Sequence, residues 1–545
     1  MKHTMNALCL AVSTALFLPA VHADSPEWWF QHGQQSVAAA KQLHPNNRPA
    51  KNVILFVADG MGISTVTAAR ILEGQLRGEH GEENLLSFEH LPHVALSKTY
   101  NTNQQTPDSA GTMTAMVTGI KTKAGIISAN QHTVRGDCAS MQGNELETIL
   151  QQAAQRGLAT GVVSTARLTH ATPAANYAHS PDRNWEDDRS IPAAEKAAGC
   201  KDIASQLIEF SHGNGIQVAL GGGRRHFLPQ TMEDPEYMGS YGRRQDGRDL
   251  TAEWTNKDAN AAYVWNKEQF DAIDPGQVSH LLGLFEPSHM QYEHDRPVDI
   301  AGEPSLTDMT AKAIDVLSRN DKGFYLHVES GRVDHAHHAS NSYRALTDAI
   351  EFANAVKVAM EKTDPRDTLI IVTADHGHVF TIAGYATRGN DIMGKVVSND
   401  SRGEPRSDYT LDGLGLPYTT LSYANGPGYT GASASQVEGP KTYPHSGRGY
   451  AGISMGRPDL TWVNTSDPNY LQEATVPLSS ETHSGEDVAI YAGGPMAHLF
   501  QGVVEQNVVY HVMAEALQIN KGDTKPGKGN NKGKIVSAVA KGDRR

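Results

Sequence analysis

Residues 52–62, NVILFVADGMG, form an uninterrupted apolar run that ends in an acid and a glycine-rich turn. A run that is apolar on both faces is typical of a buried strand, usually in a parallel sheet. We therefore predict a buried strand here, with Asp59 at its carboxyl end.

The same pattern recurs along the chain. Further apolar runs cover Thr160–Thr165, Ile216–Gly221, Gly323–Glu329, Thr368–Asp375 and Asp487–Ala492. Helical patterns cover Ser64–Leu72, with Ser64 as the expected cap, Asn144–Arg156, Ser305–Ser318 and Ser342–Met360. Strands that alternate with helices predict an α/β fold, a three-layer αβα sandwich around a large, doubly wound and mostly parallel sheet.

Two regions depart from this alternation. Residues Phe227–Gln277 are predicted to be loop-rich, and Gly384–Leu478 carry many Gly, Pro, Ser and Tyr residues. The second is too long for a structureless loop in a compact domain. We predict a subdomain inserted at 384–478 that serves dimerisation or covers the site.

The two ends of the chain indicate export and a solvated tail. Residues 1–23 have a positive start, an apolar run and a Val-His-Ala cleavage pattern, which predict a secretory signal and a periplasmic or secreted protein. We expect a single catalytic domain over 24–518 and no membrane span. Residues 519–545 form a basic tail that is predicted to be disordered.

Cysteine content and net charge narrow the class of protein further. Cys9 leaves with the signal, so Cys138 and Cys200 remain and are predicted to form a disulfide; two separate buried thiols are the alternative. The net charge of −14 argues against nucleic acid as a binding partner.

Ser109 is the candidate nucleophile. It follows the turn Thr106-Pro107-Asp108 and opens a helical pattern, where unpaired backbone N–H groups and the helix dipole favour a bound phosphate. The alternative is that Ser109 only caps the helix, because serine is a common N-cap residue.

Candidate metal ligands follow the predicted strands. Asp59, Glu329 and the pair Asp375-His376 stand at strand ends, where open α/β sheets bind ligands. Asp334 and His338 share a face if their segment is helical, and His483 offers a third ligand. Nitrogen and carboxylate ligands suit Zn²⁺, and all-oxygen sets suit Mg²⁺.

The order of these motifs resembles the alkaline phosphatase family over about residues 50–518. VADGMG, TPDSAGTMTAMVTG, THATPA, HSPDRNW, VESGRVDHAHH, TADHGH and ETHSGEDVAIYAGGP carry the resemblance. GRVDHAHH, AHLFQGVVEQN and the two cysteines are similar to the animal-type branch. The resemblance implies hydrolysis of small phosphate monoesters through a phosphoserine, with broad specificity and an alkaline optimum.

The resemblance also implies roles for individual residues. Ser109 would be the nucleophile, Arg183 would bind two phosphate oxygens, and the backbone N–H groups after Ser109 would assist. The implied ligands are Asp334, His338 and His483 for one zinc, Asp59, Asp375 and His376 for the second, and Asp59, Thr172 and Glu329 for magnesium. His170 would lie beside the magnesium, where other branches carry Asp. His335 would lie beside the phosphate, where other branches carry Lys.

Two further expectations rest on the same resemblance. Glu236, Phe285, Glu286 and Glu303 are implied ligands of one Ca²⁺, with a solvated acidic surface as the alternative. The insertion resembles the crown of dimeric members, which implies a homodimer with Tyr385 near the partner's site.

Other classes of function remain open from the sequence. A phosphodiesterase or a sulfatase could use the same core, but these enzymes carry different nucleophile motifs or histidine spacing. A non-catalytic metal or phosphate binder is a third reading, against which Ser109 and a complete ligand set argue.

Overall fold

The computed structural model describes residues 25–454 and 456–519. The predicted signal peptide, 1–23, and all of the basic tail after Ile519 lie outside the described residues. The chain divides into two compact units after Pro45, and the described part of the first contains helix α1, Pro26–Ala40. All other elements belong to the second unit, which begins at Asn46.

The described residues of the second unit form helices and strands in alternation. The helices are α2 (Ile63–Leu76), α3 (Ser109–Thr118), α4 (Cys138–Met141), α5 (Ile149–Gln155), α6 (Ala171–Ala174), α7 (Ala193–Ala197), α8 (Ile203–Ile208), α9 (Leu250–Thr255), α10 (Lys267–Ala272), α11 (Leu306–Leu317), α12 (Arg332–His338), α13 (Ser342–Lys362) and α14 (Val508–Ala516). The strands are β1 (Asn52–Ala58), β2 (His93–Lys98), β3 (Ala159–Arg167), β4 (Val218–Gly222), β5 (Ala261–Val264), β6 (His280–Leu284), β7 (Phe324–Ser330), β8 (Thr368–Thr373), β9 (Gly377–His378), β10 (Phe380–Ile382), β11 (Leu421–Gly426), β12 (Lys441–Thr442), β13 (Tyr470–Leu471), β14 (Ala474–Pro477), β15 (His483–Ser484), β16 (Val488–Gly493) and β17 (Val503–Glu505). Short 3-10 helices cover Ser87–His90, Asp188–Ser190, Arg224–His226, Arg296–Val298 and Ala497–Leu499.

Ten strands form one central sheet, in the order β17-β2-β16-β8-β1-β7-β3-β4-β6-β5. The seven strands from β8 to β5 pair in parallel, and β16 is antiparallel to both of its neighbours. The predicted mostly parallel sheet is therefore confirmed.

Strand β1 shows how both faces of this sheet are buried. Ile54, Phe56 and Ala58 pack into one core with residues of α2, α11 and α13. Val53, Leu55 and Val57 pack into a second core with residues of α3, α5 and α14. Helices on both faces of the sheet confirm the three-layer sandwich.

The five further strands predicted from apolar runs are present as β3, β4, β7, β8 and β16, with shifts of one or two residues at their ends. Helix α11 begins after its cap Ser305, close to the predicted start. Helix α5 was predicted from Asn144 but begins only after Thr148, which forms a capping box with Gln151. The cap predicted for α2 is wrong, because Gly62 occupies the N-cap position instead of Ser64. The region 227–277 is less loop-rich than predicted, because it contains α9, the edge strand β5 and α10.

The segment 384–478 contains little regular structure. Strands β11 and β14 within it pair with each other, and β11 also pairs with β10, while β12 and β13 form a separate ladder. Its role as an inserted subdomain stays a prediction.

Cys138 and Cys200 form a disulfide with their Cα atoms 5.7 Å apart, the pairing that the sequence predicts. Among residues 25–454 and 456–519, the structure has no helix with the length and apolar content needed to cross a membrane.

Candidate active site

Four adjacent strands of the sheet bring the candidate residues together. In the order β8-β1-β7-β3 all pairs are parallel, so their carboxyl ends lie along one edge. Val57 of β1 is in register with Glu329 of β7 and with Thr373 of β8. Asp59, Glu329 and the loop after Thr373 therefore converge because of sheet topology alone.

Ser109 is the first residue of helix α3, and the N-cap is Asp108, whose carboxylate accepts a hydrogen bond from the Gly111 N–H at 3.1 Å. The alternative that Ser109 is only an N-cap is therefore wrong. Its side chain is buried, and Oγ lies 3.3 Å from Asp59 Oδ2 and 3.3 Å from His376 Nε2. The hydroxyl thus faces a carboxylate and an imidazole.

Asp108 also changes the expectation for the backbone donors after Ser109. The Gly111 N–H donates to the Asp108 side chain and the Thr112 N–H donates to the Asp108 carbonyl. Of the N–H groups at positions 110, 111 and 112, that of Ala110 is left as the candidate donor to a phosphate.

Asp334, His338 and His483 direct three ligand atoms at one another. Asp334 Oδ1 lies 3.4 Å from His338 Nε2 and 3.2 Å from His483 Nε2, and the two Nε2 atoms are 3.1 Å apart. Ligand atoms that surround one Zn²⁺ tetrahedrally at about 2.0–2.1 Å lie about 3.3 Å from one another. The triangle therefore has the size of a zinc site.

Hydrogen bonds on the far side of both rings set their tautomers. His338 Nδ1 lies 2.6 Å from the Glu481 carbonyl, and His483 Nδ1 lies 2.8 Å from the Pro107 carbonyl. Because a carbonyl only accepts, each Nδ1 carries the hydrogen and each Nε2 presents a lone pair. Two lone pairs aimed at the same point fit a bound cation.

A second ligand set surrounds Ser109. His376 Nε2 lies 3.3 Å from Asp59 Oδ1 and 3.2 Å from Asp375 Oδ2. All three side chains are fully buried. Ser109 Oγ is beside this set, which is where an activated hydroxyl would have to lie.

A third set shares Asp59 with the second. Ligand atoms of Asp59, Glu329 and His170 lie within 4.8 Å of one another. Thr172 Oγ1 and Glu329 Oε1 are buried, and neither has a hydrogen-bond partner among the described residues. Orphaned oxygens at this position fit an oxygen-ligated cation such as Mg²⁺.

Buried negative charge supports the same conclusion. Burial and the charges of Asp375, Asp334 and Glu329 raise the pKa of Asp59 well above its ordinary value. Burial and the charges of Asp375 and Asp334 likewise raise the pKa of Glu329 to about 8. These carboxyl groups repel one another unless a cation lies between them.

The histidines of the site are suited to binding metal. Burial, with the charge of His483, holds the pKa of His376 well below its ordinary value, and burial also lowers the pKa of His338. Neutral imidazole is the form that binds metal. Although burial acts in the opposite direction, the neighbouring imidazoles of His338, His378 and His483 keep the pKa of Asp334 well below its ordinary value.

Arg183 is held at the edge of the site by two partners. Its Nη1 donates to Asp108 Oδ2 at 3.1 Å, and its Nη2 lies 3.1 Å from His170 Nε2. The ring of His335 is 5.6 Å from that of His170 and 4.0 Å from that of His289. Arg183 and His335, the two residues predicted to lie at the phosphate, therefore both neighbour His170.

Sequence reasoning missed three residues of this site. His378 Nε2 lies 2.9 Å from Asp334 Oδ1, and its Nδ1 lies 2.5 Å from Glu481 Oε2. Burial lowers the pKa of His378, but the charge of Glu481 and the bond to Asp334 prevail and raise it to about 10. The spacing of His378 two residues after His376, and of Glu481 two residues before His483, was the available signal. His289 has no comparable signal.

The acidic residues predicted to bind calcium also form a cluster. Ligand atoms of Glu236 and Glu286 lie within 4.8 Å of Asp299, which the sequence did not indicate. Glu303 is buried and close enough for the charges of Glu286 and Asp299 to raise its pKa, and its Oε2 has no hydrogen-bond partner in the described part of the chain. Burial and the charge of Glu236 raise the pKa of Glu286 to about 8. Arg224 pairs with Glu236 at 2.8 Å.

Comparison with known proteins gives consistent matches. A profile of the alkaline phosphatase family matches residues 50–519. The tissue-nonspecific alkaline phosphatase of Gallus gallus is 44% identical over 523 residues, which cover 95% of this chain and 94% of that protein. The alkaline phosphatase of Gadus morhua is 44% identical over 502 residues, 91% of this chain and 98% of its own. The solved structure of Thermus thermophilus alkaline phosphatase has a TM-score of 0.58 at 24% identity, covering 92% of this chain and 96% of that chain, and supports the fold alone.

Proposed function

The chain belongs to the alkaline phosphatase family and is a phosphoric monoester hydrolase, and we propose that it acts through a phosphoserine on Ser109. Two Zn²⁺ and one Mg²⁺ are the proposed metals, with broad specificity for small phosphate monoesters and an alkaline optimum. One observation carries the proposal. Ser109 Oγ, at the start of α3, lies within 3.4 Å of both Asp59 and His376.

The donor sets support an assignment of each metal. One zinc would be held by Asp334, His338 and His483, and the second by Asp59, Asp375 and His376. Magnesium would be held by Asp59, Thr172 and Glu329, with Asp59 shared between the two neighbouring sites. Zinc bound in these sites would lower the pKa of the Ser109 hydroxyl, stabilise the leaving oxygen and activate water.

The residues of the chain account for the remaining steps. Arg183 would bind two oxygens of the phosphoryl group through its planar guanidinium, which Asp108 holds in place. Ser109 Oγ would attack phosphorus in line with the ester oxygen, which leaves as the alcohol. Water would then attack the phosphoserine and release phosphate. The roles assigned to these residues concern the phosphoryl group and not the body of the alcohol, which supports broad specificity.

A calcium ion is proposed at the acidic cluster. Glu236, Glu286 and Glu303 would supply carboxylates and Phe285 a carbonyl, and we add Asp299 because of its position. Several buried carboxylates around one point with orphaned oxygens favour an oxygen-ligated cation over a solvated surface. Metal analysis of protein prepared without chelator tests this, and absent calcium ends the proposal.

Export and dimerisation are further proposals. The pattern of residues 1–23 and the Cys138–Cys200 disulfide support a periplasmic or secreted enzyme. The Tyr385 side chain is 93% exposed, which leaves it available to a second copy of the chain. Light scattering that shows an active monomer would refute the dimer.

Rates on three substrates test the proposed activity. Hydrolysis of a p-nitrophenyl phosphate monoester is expected to exceed that of the matching diester and sulfate by orders of magnitude. Metal content measured on the same preparations is expected to be two zinc and one magnesium per chain. A higher rate on the diester or the sulfate would select one of the alternative activities instead.

A further inference from the structure

His337 lies on helix α12 between the proposed zinc ligands Asp334 and His338 but directs its ring away from them. The side chain is fully buried. Its Nδ1 lies 2.8 Å from the Tyr423 hydroxyl, and its Nε2 lies 3.0 Å from Thr65 Oγ1. Both ring nitrogens therefore have a hydrogen-bond partner outside α12.

The two hydrogen bonds fix the ring from opposite sides. Tyr423 contacts Nδ1 and Thr65 contacts Nε2, so each ring nitrogen has its own hydroxyl partner. A neutral imidazole has one donor and one acceptor, and hydroxyl groups can serve as either. Tyr423 and Thr65 thus satisfy the ring completely.

The ring also packs against a side chain that contacts a zinc ligand directly. His337 and His378 stack, with centroids 4.8 Å apart and planes at 28°. His378 Nε2 in turn lies 2.9 Å from Asp334 Oδ1. His337 is therefore connected to Asp334 both along the helix and through this stacked ring.

Tyr423 comes from a distant part of the chain. It lies on β11 within the segment 384–478, and β11 is held by β10 on one side and β14 on the other. Its side chain is buried, and its ring is 5.8 Å from that of His337. The insertion thus places one phenolic hydroxyl against the helix that carries two zinc ligands.

We propose that Tyr423 is a positioning residue for the zinc site of Asp334, His338 and His483, acting through His337. The proposal rests on the proposed function, because it assumes zinc at those three residues. Groups that orient ligands without touching the metal commonly change metal affinity by about 10- to 100-fold. Tyr423 acts through one further side chain, so we expect about a tenfold effect.

The test replaces Tyr423 by phenylalanine, which removes the hydroxyl and keeps the ring. Tyr470→Phe is the matched control, because Tyr470 also lies in the insertion, is buried, and has a hydroxyl with no hydrogen-bond partner among the described residues. Both holoenzymes are mixed with a colorimetric zinc chelator, and the release of each zinc is timed. Thermal unfolding is measured in parallel.

The expected result is that one of the two zinc ions leaves Tyr423→Phe about tenfold faster, while the other leaves at the wild-type rate. Tyr470→Phe should match the wild type at both sites. Thr65→Val, which removes the other hydrogen bond of His337, should accelerate the same zinc. In the double variant of Thr65→Val and Tyr423→Phe, zinc release should be accelerated by less than the two single effects combined, because both changes release the same ring.

Three outcomes would overturn the proposal. Release from Tyr423→Phe at the wild-type rate would show that the hydroxyl does not position the ligands. Equal acceleration of both zinc ions together with a lower melting temperature would show a general loss of stability. A wild-type protein that binds no zinc would instead refute the proposed function itself, and this inference with it.

Discussion

The Asp108 side-chain carboxylate accepts four hydrogen bonds and so links the helix of Ser109 to Arg183. Its Oδ1 accepts from Gly111 N at 3.1 Å and from Asn101 Nδ2 at 3.0 Å. Its Oδ2 accepts from Gly125 N at 2.8 Å and from Arg183 Nη1 at 3.1 Å. One carboxylate therefore caps the helix of the proposed nucleophile and holds the guanidinium that would bind phosphate.

Two replacements of Asp108 separate these roles. Asp108→Asn keeps a good N-cap but presents an amide where Oδ2 accepted from Arg183, so it removes the charged partner of the guanidinium. Asp108→Ala removes the cap as well, which costs about 1 kcal/mol of folding stability. A hydrogen bond between charged groups contributes about 1.5–3 kcal/mol net. If phosphate binding loses about 1.4 kcal/mol of this hydrogen-bond contribution, the inhibition constant of phosphate rises about tenfold.

The assay is competitive inhibition of monoester hydrolysis by inorganic phosphate, with thermal unfolding of each variant in parallel. Both variants are expected to bind phosphate about tenfold more weakly, and Asp108→Ala alone to show the added loss of the cap. Gln436→Ala serves as a control, because this side chain bonds only within the insertion. If phosphate inhibits Asp108→Asn as strongly as it inhibits the wild type, Asp108 does not hold Arg183 in place for phosphate binding.

Three further predictions concern cations, pH and the disulfide. His170→Asp replaces a neutral imidazole beside Glu329 by an acid and should raise Mg²⁺ affinity in equilibrium dialysis; unchanged affinity would contradict the assignment of this site. In protein freed of calcium, burial and Glu236 raise the folded pKa of Glu286 from the ordinary 4.5 to about 8, so the folded state holds a proton that the unfolded state releases. Stability should then fall as pH rises from about 4.5 to about 8 and level off above, and added Ca²⁺ should remove this dependence in thermal unfolding; a flat profile without Ca²⁺ would be the contrary result. The Cys138–Cys200 bridge spans 62 positions, so the paired serine variant should lose about 4 kcal/mol in denaturant unfolding, and unchanged stability would argue against a role in folding.

The sequence predicted the central strands because their burial leaves a continuous apolar signal. Strand β1 is buried on both faces, so its residues had to be apolar throughout. Strand β5 gives no such signal, because three of its four residues are only partly buried at the sheet edge. Helix α5 begins at Ile149, later in the chain than predicted. Its start is set by a capping box of Thr148 and Gln151, which periodicity alone does not locate.

Within the site, strand ends were predictable and contacts across the chain were not. Asp59 and Glu329 follow apolar runs, so their position at the edge follows from the topology of a parallel sheet. Asp299 joins the acidic cluster from a loop that has no pattern, and Tyr423 meets His337 across 86 positions of sequence. Such contacts depend on how an irregular segment folds back, which local periodicity does not encode.

Trapping of a phosphorylated enzyme tests directly whether Ser109 is the nucleophile. Wild-type protein is mixed with a phosphate-labelled monoester, quenched in acid and digested, and the label is located by mass spectrometry. We expect label on Ser109, up to one per chain, and none in Ser109→Ala protein that retains its metals. Label on another residue, or hydrolysis by metal-loaded Ser109→Ala at the wild-type rate, would contradict this expectation.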